Sequence, residues 1–93
     1  MVFQILYELK TPEKDYSPLF TYLETGMGES GIHVLRDCWW VSNPHQEDVV
    51  EMCKEVRNYL GENDVFYITV VSPEQINGWL SSGSWNWFRE HKG

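Results

Sequence analysis

Extended apolar runs alternate with two stretches of helical spacing along this chain, and that alternation limits the folds open to it. From Val2 to Leu9, residues Phe3, Ile5, Tyr7 and Leu9 fall on one side and Gln4, Leu6 and Glu8 on the other, the period of a half-buried strand. Pro12 and Asp15 mark a loop. A helix follows, capped by Asp15 or Ser17 with Pro18 at its first position, and its apolar stripe is Tyr16, Leu19, Phe20, Leu23 and Met27. Gly26, Gly28 and Gly31 end it. The stretch from Ile32 to Val41 reads as two short strands bent at Asp37, with Trp39 and Trp40 pointing to opposite faces. Asn43, Pro44 and Gln46 have the spacing of a capping box before a second helix, whose stripe is Val49, Met52, Cys53, Val56 and Leu60 and whose stop is Gly61. The run DVFYITVV from Asp64 is rich in β-branched and aromatic residues and reads as a strand closed by Ser72 and Pro73. Residues 75–80, QINGWL, are expected to add a brief extra strand. Ser81 to His91 are expected to form a last amphipathic helix presenting Trp85 and Phe88, or Trp87 and His91.

With right-handed crossovers, this order gives an α+β protomer, a ferredoxin-like βαββαβ sandwich with both main helices on one face of an antiparallel sheet. One domain is expected over 1–93, with 80–93 as a short helical tail. The opposite face, which carries Leu6, is expected to lie bare and to be covered by a second copy in a homodimer.

A chain of 93 residues can bury enough surface only with a dense core, and five Trp, five Tyr and four Phe supply one. The formal charge of -7 opposes non-specific binding to nucleic acid, and the seven cations, Lys10, Lys14, Arg36, Lys54, Arg57, Arg89 and Lys92, form no basic arm. Cys38 and Cys53 lack the spacing of a zinc site or a disulfide framework, so reduced thiols and a cytoplasmic location, in a bacterial or phage-infected cell, are expected. The apolar opening is broken by Gln4 and ends at Glu8, which fits neither a leader nor a membrane span.

Several segments carry a resemblance: YELKTPEKDYSPL after the first strand, IHVLRDCWWV in the middle, END before the last long strand, and NGWLSSGSWNWF near the end. In order and spacing they resemble the small bacterial and phage proteins labelled SinR-like, within the CRISPR-associated protein 2-like superfamily. The resemblance implies a ferredoxin-like protomer that dimerises through its sheet. It also implies that Glu8 stands where the nuclease branch carries a metal-binding aspartate. Glutamate is one methylene longer, and Mg2+ demands near-octahedral oxygens at about 2.0 to 2.1 Å, so the substitution weakens that role.

Each candidate residue has a plain alternative. Glu8 is either a ligand for Mg2+ or Mn2+ or an ordinary strand-end carboxylate. His33 and Asp37 lie too far apart on a straight strand for an acid/base pair. Trp39, Trp40, Trp79, Trp85 and Trp87 read as a base-stacking platform or, preferably, as core and dimer interface. Cys38 reads as an inert thiol. GMGESG follows a helix rather than preceding one, so it is a turn and not a phosphate loop.

The leading expectation is a non-catalytic homodimer, without a cofactor, that binds another protein. The resemblance gives it a phage or mobile-element setting, with a host or defence component as partner. A metal-dependent endonuclease built on Glu8, and a nucleotide binder using the Trp and Tyr surface with Arg36, are the alternatives.

Overall fold

Strand β1 (Val2–Glu8) alternates as its sequence demands and lies inside a four-stranded antiparallel sheet in the computed structural model, which describes residues 1–43 and 48–92. The other strands are β2 (Ser30–Leu35), β3 (Cys38–Ser42) and β4 (Val65–Val70), and their order across the sheet is β2-β3-β1-β4. The helices are α1 (Ser17–Thr21), which runs into a π-helical turn at Tyr22–Gly26, then α2 (Val49–Arg57) and α3 (Ser82–His91). Among the described residues, no helix is long and apolar enough to cross a membrane.

Two cores form, one on each face of the sheet. Phe3, Ile5 and Tyr7 of β1 join Trp39 and Val41 of β3 and meet Leu19, Leu23 and Met27 from the first helical segment and Met52, Val56 and Leu60 from the second. Val2 and Trp40 face the other way. They pack with Val71 and Phe88, supported by Ile32, Val34, Ile76, Leu80, Trp85 and Trp87. The neighbouring tryptophans therefore serve different cores, as period two requires. Each indole N–H is satisfied by β1 on its own face: Trp39 Nε1 donates to the Tyr7 hydroxyl at 3.1 Å, and Trp40 Nε1 to Gln4 Oε1 at 3.1 Å.

The bare second face expected from the sequence is thus half covered. Helix α3 lies on it, with Phe88 at 5.1 Å and Trp85 at 5.7 Å from the Trp40 ring, and Trp87 Nε1 donates to Ser30 Oγ at 3.0 Å. Both alternative faces of that helix are used, because Trp85, Phe88 and Trp87 all turn inward. Ser81 caps it by accepting the Ser84 N–H.

Residues 75–80 form no strand. The Gln75 N–H closes a turn onto the Ser72 carbonyl, and the Gly78 N–H bonds the Asn77 side chain, so the backbone is turned rather than extended. Ile76 and Leu80 nevertheless fill the second core.

The expected caps also move. Helix α2 starts at Val49 with Asp48 as its cap, the carboxylate accepting the Glu51 N–H at 2.9 Å, and not at Asn43; Pro44 and Gln46 lie outside the described residues. It ends with Asn58 as its C-cap, before Gly61. Helix α1 begins after Tyr16, so Pro18 is its second residue, and Asp15 receives the Ser17 N–H at 2.9 Å from just outside. After α1, the Met27 N–H reaches back to the Tyr22 carbonyl, and this wider turn carries both Leu23 and Met27 to the sheet. β2 crosses close beneath, where a Cβ at Gly31 would collide with the Leu23 carbonyl oxygen, so glycine is required there.

Arg36 and Asp37 make the turn between β2 and β3. A bulge between His33 and Leu35 lets His33 face Trp39 while Leu35 pairs with Cys38.

Replacing Trp40 by Ala empties the centre of the second core and orphans Gln4, with an expected loss of about 3 to 5 kcal/mol in urea unfolding. Trp79→Ala, at a ring fully in water on the single protomer, is expected to change the unfolding of the dilute, monomeric chain by less than about 0.5 kcal/mol.

Candidate interaction surface

The strand register lines up Leu35, Cys38, Leu6 and Tyr67 as partners across all four strands. Direct partners share a face, so these residues form an apolar row on the second face, beside the part that α3 covers. Leu35 is 55% exposed and Tyr67 52%. Val65, paired with Glu8 in the next row, is 51% exposed. Leu6, Glu8, Val65 and Tyr67, together with Tyr7 and Phe66, line a hollow of about 250 Å³.

The row runs to the edge of the sheet. β4 has β1 on one side and ends the strand order on the other, so its outer backbone groups have no strand partner among the described residues. Round this edge, a groove of about 550 Å³ opens between β4 and α2. Its walls are Val49, Val50 and Cys53 of α2 and Phe66, Tyr67 and Ile68 of β4, and Lys54 and Arg57 stand in its lining. Val50 is largely exposed, lying outside the buried stripe of its helix.

Glu8 ends β1 with its side chain exposed and 3.3 Å from Lys10 Nζ. Among the described residues, no three His, Cys, Asp or Glu side chains gather as a metal cage. One protomer brings a single carboxylate, Glu8, to this place, with Lys10 beside it.

His33 and Asp37 are not brought together as an acid/base pair. The His33 ring stacks on Trp39 with centroids 4.7 Å apart, and its Nε2 meets the Arg36 carbonyl at 2.9 Å; the Asp37 carbonyl accepts the Tyr7 N–H. Arg36 is exposed at the turn. Of the five tryptophans, Trp39 and Trp40 are core, and Trp85 and Trp87 are half-buried where α3 meets the sheet, so the five do not form one stacking platform. Trp79 alone among them lies fully in water.

The triplet Glu62, Asn63, Asp64 has a structural use. Asp64 is buried and accepts from Lys10 N at 2.5 Å, Tyr16 OH at 2.6 Å and Gly61 N at 2.6 Å, with Thr11 Oγ1 at 3.4 Å. This one carboxylate ties the loop after β1 to the loop before β4, and so fixes the end of the strand on which Val65 and Tyr67 stand. Burial pushes its pKa up, but the hydrogen bonds from Tyr16, Lys10 and Gly61 outweigh burial and hold it below the ordinary value.

The thiols differ. Cys38 is buried, and desolvation pushes its pKa up to about 11. Cys53 is half-buried in the groove and is raised less far by the same cause.

The residues that the sequence alone did not single out are Leu35, Val50, Val65 and Tyr67. The alternation of DVFYITVV gives the face of Val65 and Tyr67 but not that their strand is an edge. Val50 carried a weak signal, an apolar residue off the helical stripe. No family model, curated protein or solved structure matches this chain.

Asp64→Asn removes acceptors from a buried cluster and is expected to cost about 1 to 3 kcal/mol at pH 7. A depressed folded pKa adds stability above the unfolded value of about 3.9 and loses it as pH falls through the folded value. The gap in urea midpoint between wild type and Asp64→Asn should therefore narrow between pH 5 and pH 2. In native alkylation at pH 8, Cys53 should react well before Cys38, which is expected to label at a comparable rate only after unfolding, as read by mass spectrometry of the peptides.

Proposed function

We propose that this chain is a non-catalytic, homodimeric interaction protein with a ferredoxin-like protomer, of the CRISPR-associated protein 2-like kind. The antiparallel order β2-β3-β1-β4, with α1 and α2 on one side, supports the protomer reading. The apolar row Leu35, Cys38, Leu6 and Tyr67 carries the dimer reading. It crosses the whole sheet on the face opposite α1 and α2, and both its ends are open to water.

A two-fold axis through that row sets each Leu35 and Tyr67 against its copy, an isologous contact. It also brings the two Glu8 side chains to the rim of one interface. There Lys10 at 3.3 Å offsets each carboxylate, and the pair needs no ion to be tolerated.

The wider role rests on the resemblance: a phage or mobile-element accessory, working inside the cell, that engages a host or defence protein. The charge of -7 favours a protein partner over nucleic acid.

Sedimentation equilibrium over a wide concentration range is expected to give twice the chain mass, and Leu35→Glu to shift it toward the monomer by at least about tenfold in Kd. A wild type that stays at the monomer mass at every concentration removes the reading. Labelled RNA and DNA incubated with Mg2+ or Mn2+ are expected to remain intact. Cleavage by the wild type that is lost in Glu8→Ala would replace it with a nuclease.

A further inference from the structure

Trp79 is 101% exposed, as open as in an extended peptide, yet its position is held. Ile76 and Leu80 on either side are anchored in the second core, and the Asn77 side chain accepts the Gly78 N–H at 2.8 Å. A turn that presents an indole to water in this way has already met the ordering cost of a docking residue. Trp is also among the side chains that contribute most often to protein contacts.

The same chain carries an unfilled apolar groove. The space between α2 and β4 is walled by Val49, Val50, Cys53, Phe66 and Ile68, with Lys54 and Arg57 beside them. Two of the seven cations stand where that groove opens, Lys54 already paired with Glu51 at 3.2 Å and Arg57 donating to the Gly61 carbonyl at 3.1 Å. The segment 72–81 that bears Trp79 holds one charge, the carboxylate of Glu74. Arg57, which pairs with no carboxylate among the described residues, is the charge that complements it. Trp79 is held away from its own groove while Ile76 and Leu80 are fastened to the face opposite the α2 core, which leaves it open to the groove of another copy. The groove is also continuous with the apolar row, since Phe66 and Tyr67 line both the groove and the hollow beside Glu8.

We propose that Trp79 of each copy seats in the α2–β4 groove of the other, with Glu74 drawn toward Arg57. This rests on the homodimer reading and names its anchor: the chain segment after β4 reaches round the partner's open sheet edge.

Three measurements test it. In sedimentation equilibrium, Trp79→Ala is expected to raise the dimer Kd by at least about tenfold, the loss usual for a hot-spot residue, with an unchanged far-UV spectrum because the ring contributes nothing to the monomer. Trp79→Cys, mildly oxidised, is expected to give a covalent dimer through Cys53 of the opposite copy, and Trp79→Cys with Cys53→Ser is expected to give none. Raising the concentration of wild type is expected to shift the tryptophan emission to the blue, and Trp79→Ala to abolish that shift.

Trp79→Ala dimerising with the wild-type constant, or a Trp79→Cys dimer that forms no bond to Cys53, overturns the anchor and leaves the dimer reading intact. A disulfide from the introduced thiol to Cys53 of the same chain overturns the anchor as well. Wild type that never dimerises ends both.

Discussion

The pairing of β1 with β3 through Trp39 and Trp40 is the contact on which the rest of the structure depends. Two large rings, adjacent in sequence, must go to opposite sides of one strand, and each donates its N–H to a β1 residue on its own side. A slip of one residue would exchange the two faces and leave both indoles without acceptors. Once the register holds, Phe3, Ile5 and Tyr7 face α1 and α2, while Val2 faces α3. The same register sets Leu6 between Cys38 and Tyr67, so the apolar row, open at Leu35 and Tyr67, is a by-product of the core.

Much of this architecture was legible in the sequence because it depends on period. The alternation of Val2 to Leu9, the split between Trp39 and Trp40, the bend at Asp37 and the stripes through Leu19 and Met52 all follow from backbone geometry that no tertiary contact overrides. The features that differed depend on competition. Asn43 and Asp48 are both good caps, and residue type does not say which of them the helix will use. Residues 75–80 contain strand formers, but Asn77 and Gly78 turn the backbone locally, and Ile76 and Leu80 gain more as side chains in a core than as members of a ladder. The half-cover by α3 was hidden because its Trp85, Trp87 and Phe88 suit either a tail packed on its own sheet or an interface.

For the candidate surface, the chemistry of each residue could be read along the chain but its neighbours could not. Glu8 is neighboured by Lys10, which folds back to within 3.3 Å of it, and nothing in the spacing requires that. Asp64 reads as the first residue of a strand, yet it stands just before β4 and is the hub to which two loops and a tyrosine are fastened. Such a hub lets a small protein hold a bare edge strand straight without a neighbour on its outer side. Order there comes from the loop and not from a fifth strand.

The two margins of the sheet are unequal. At the β2 margin, α3 is stitched down by Trp87 to Ser30 and by His91 lying 3.8 Å from Glu29, whereas β4 is left open. Endless stacking of sheets edge to edge needs two receptive sides on every unit. β2 also ends the strand order, but the helix fastened beside it narrows the approach to that margin, which disfavours open-ended growth in a protein this rich in aromatic side chains.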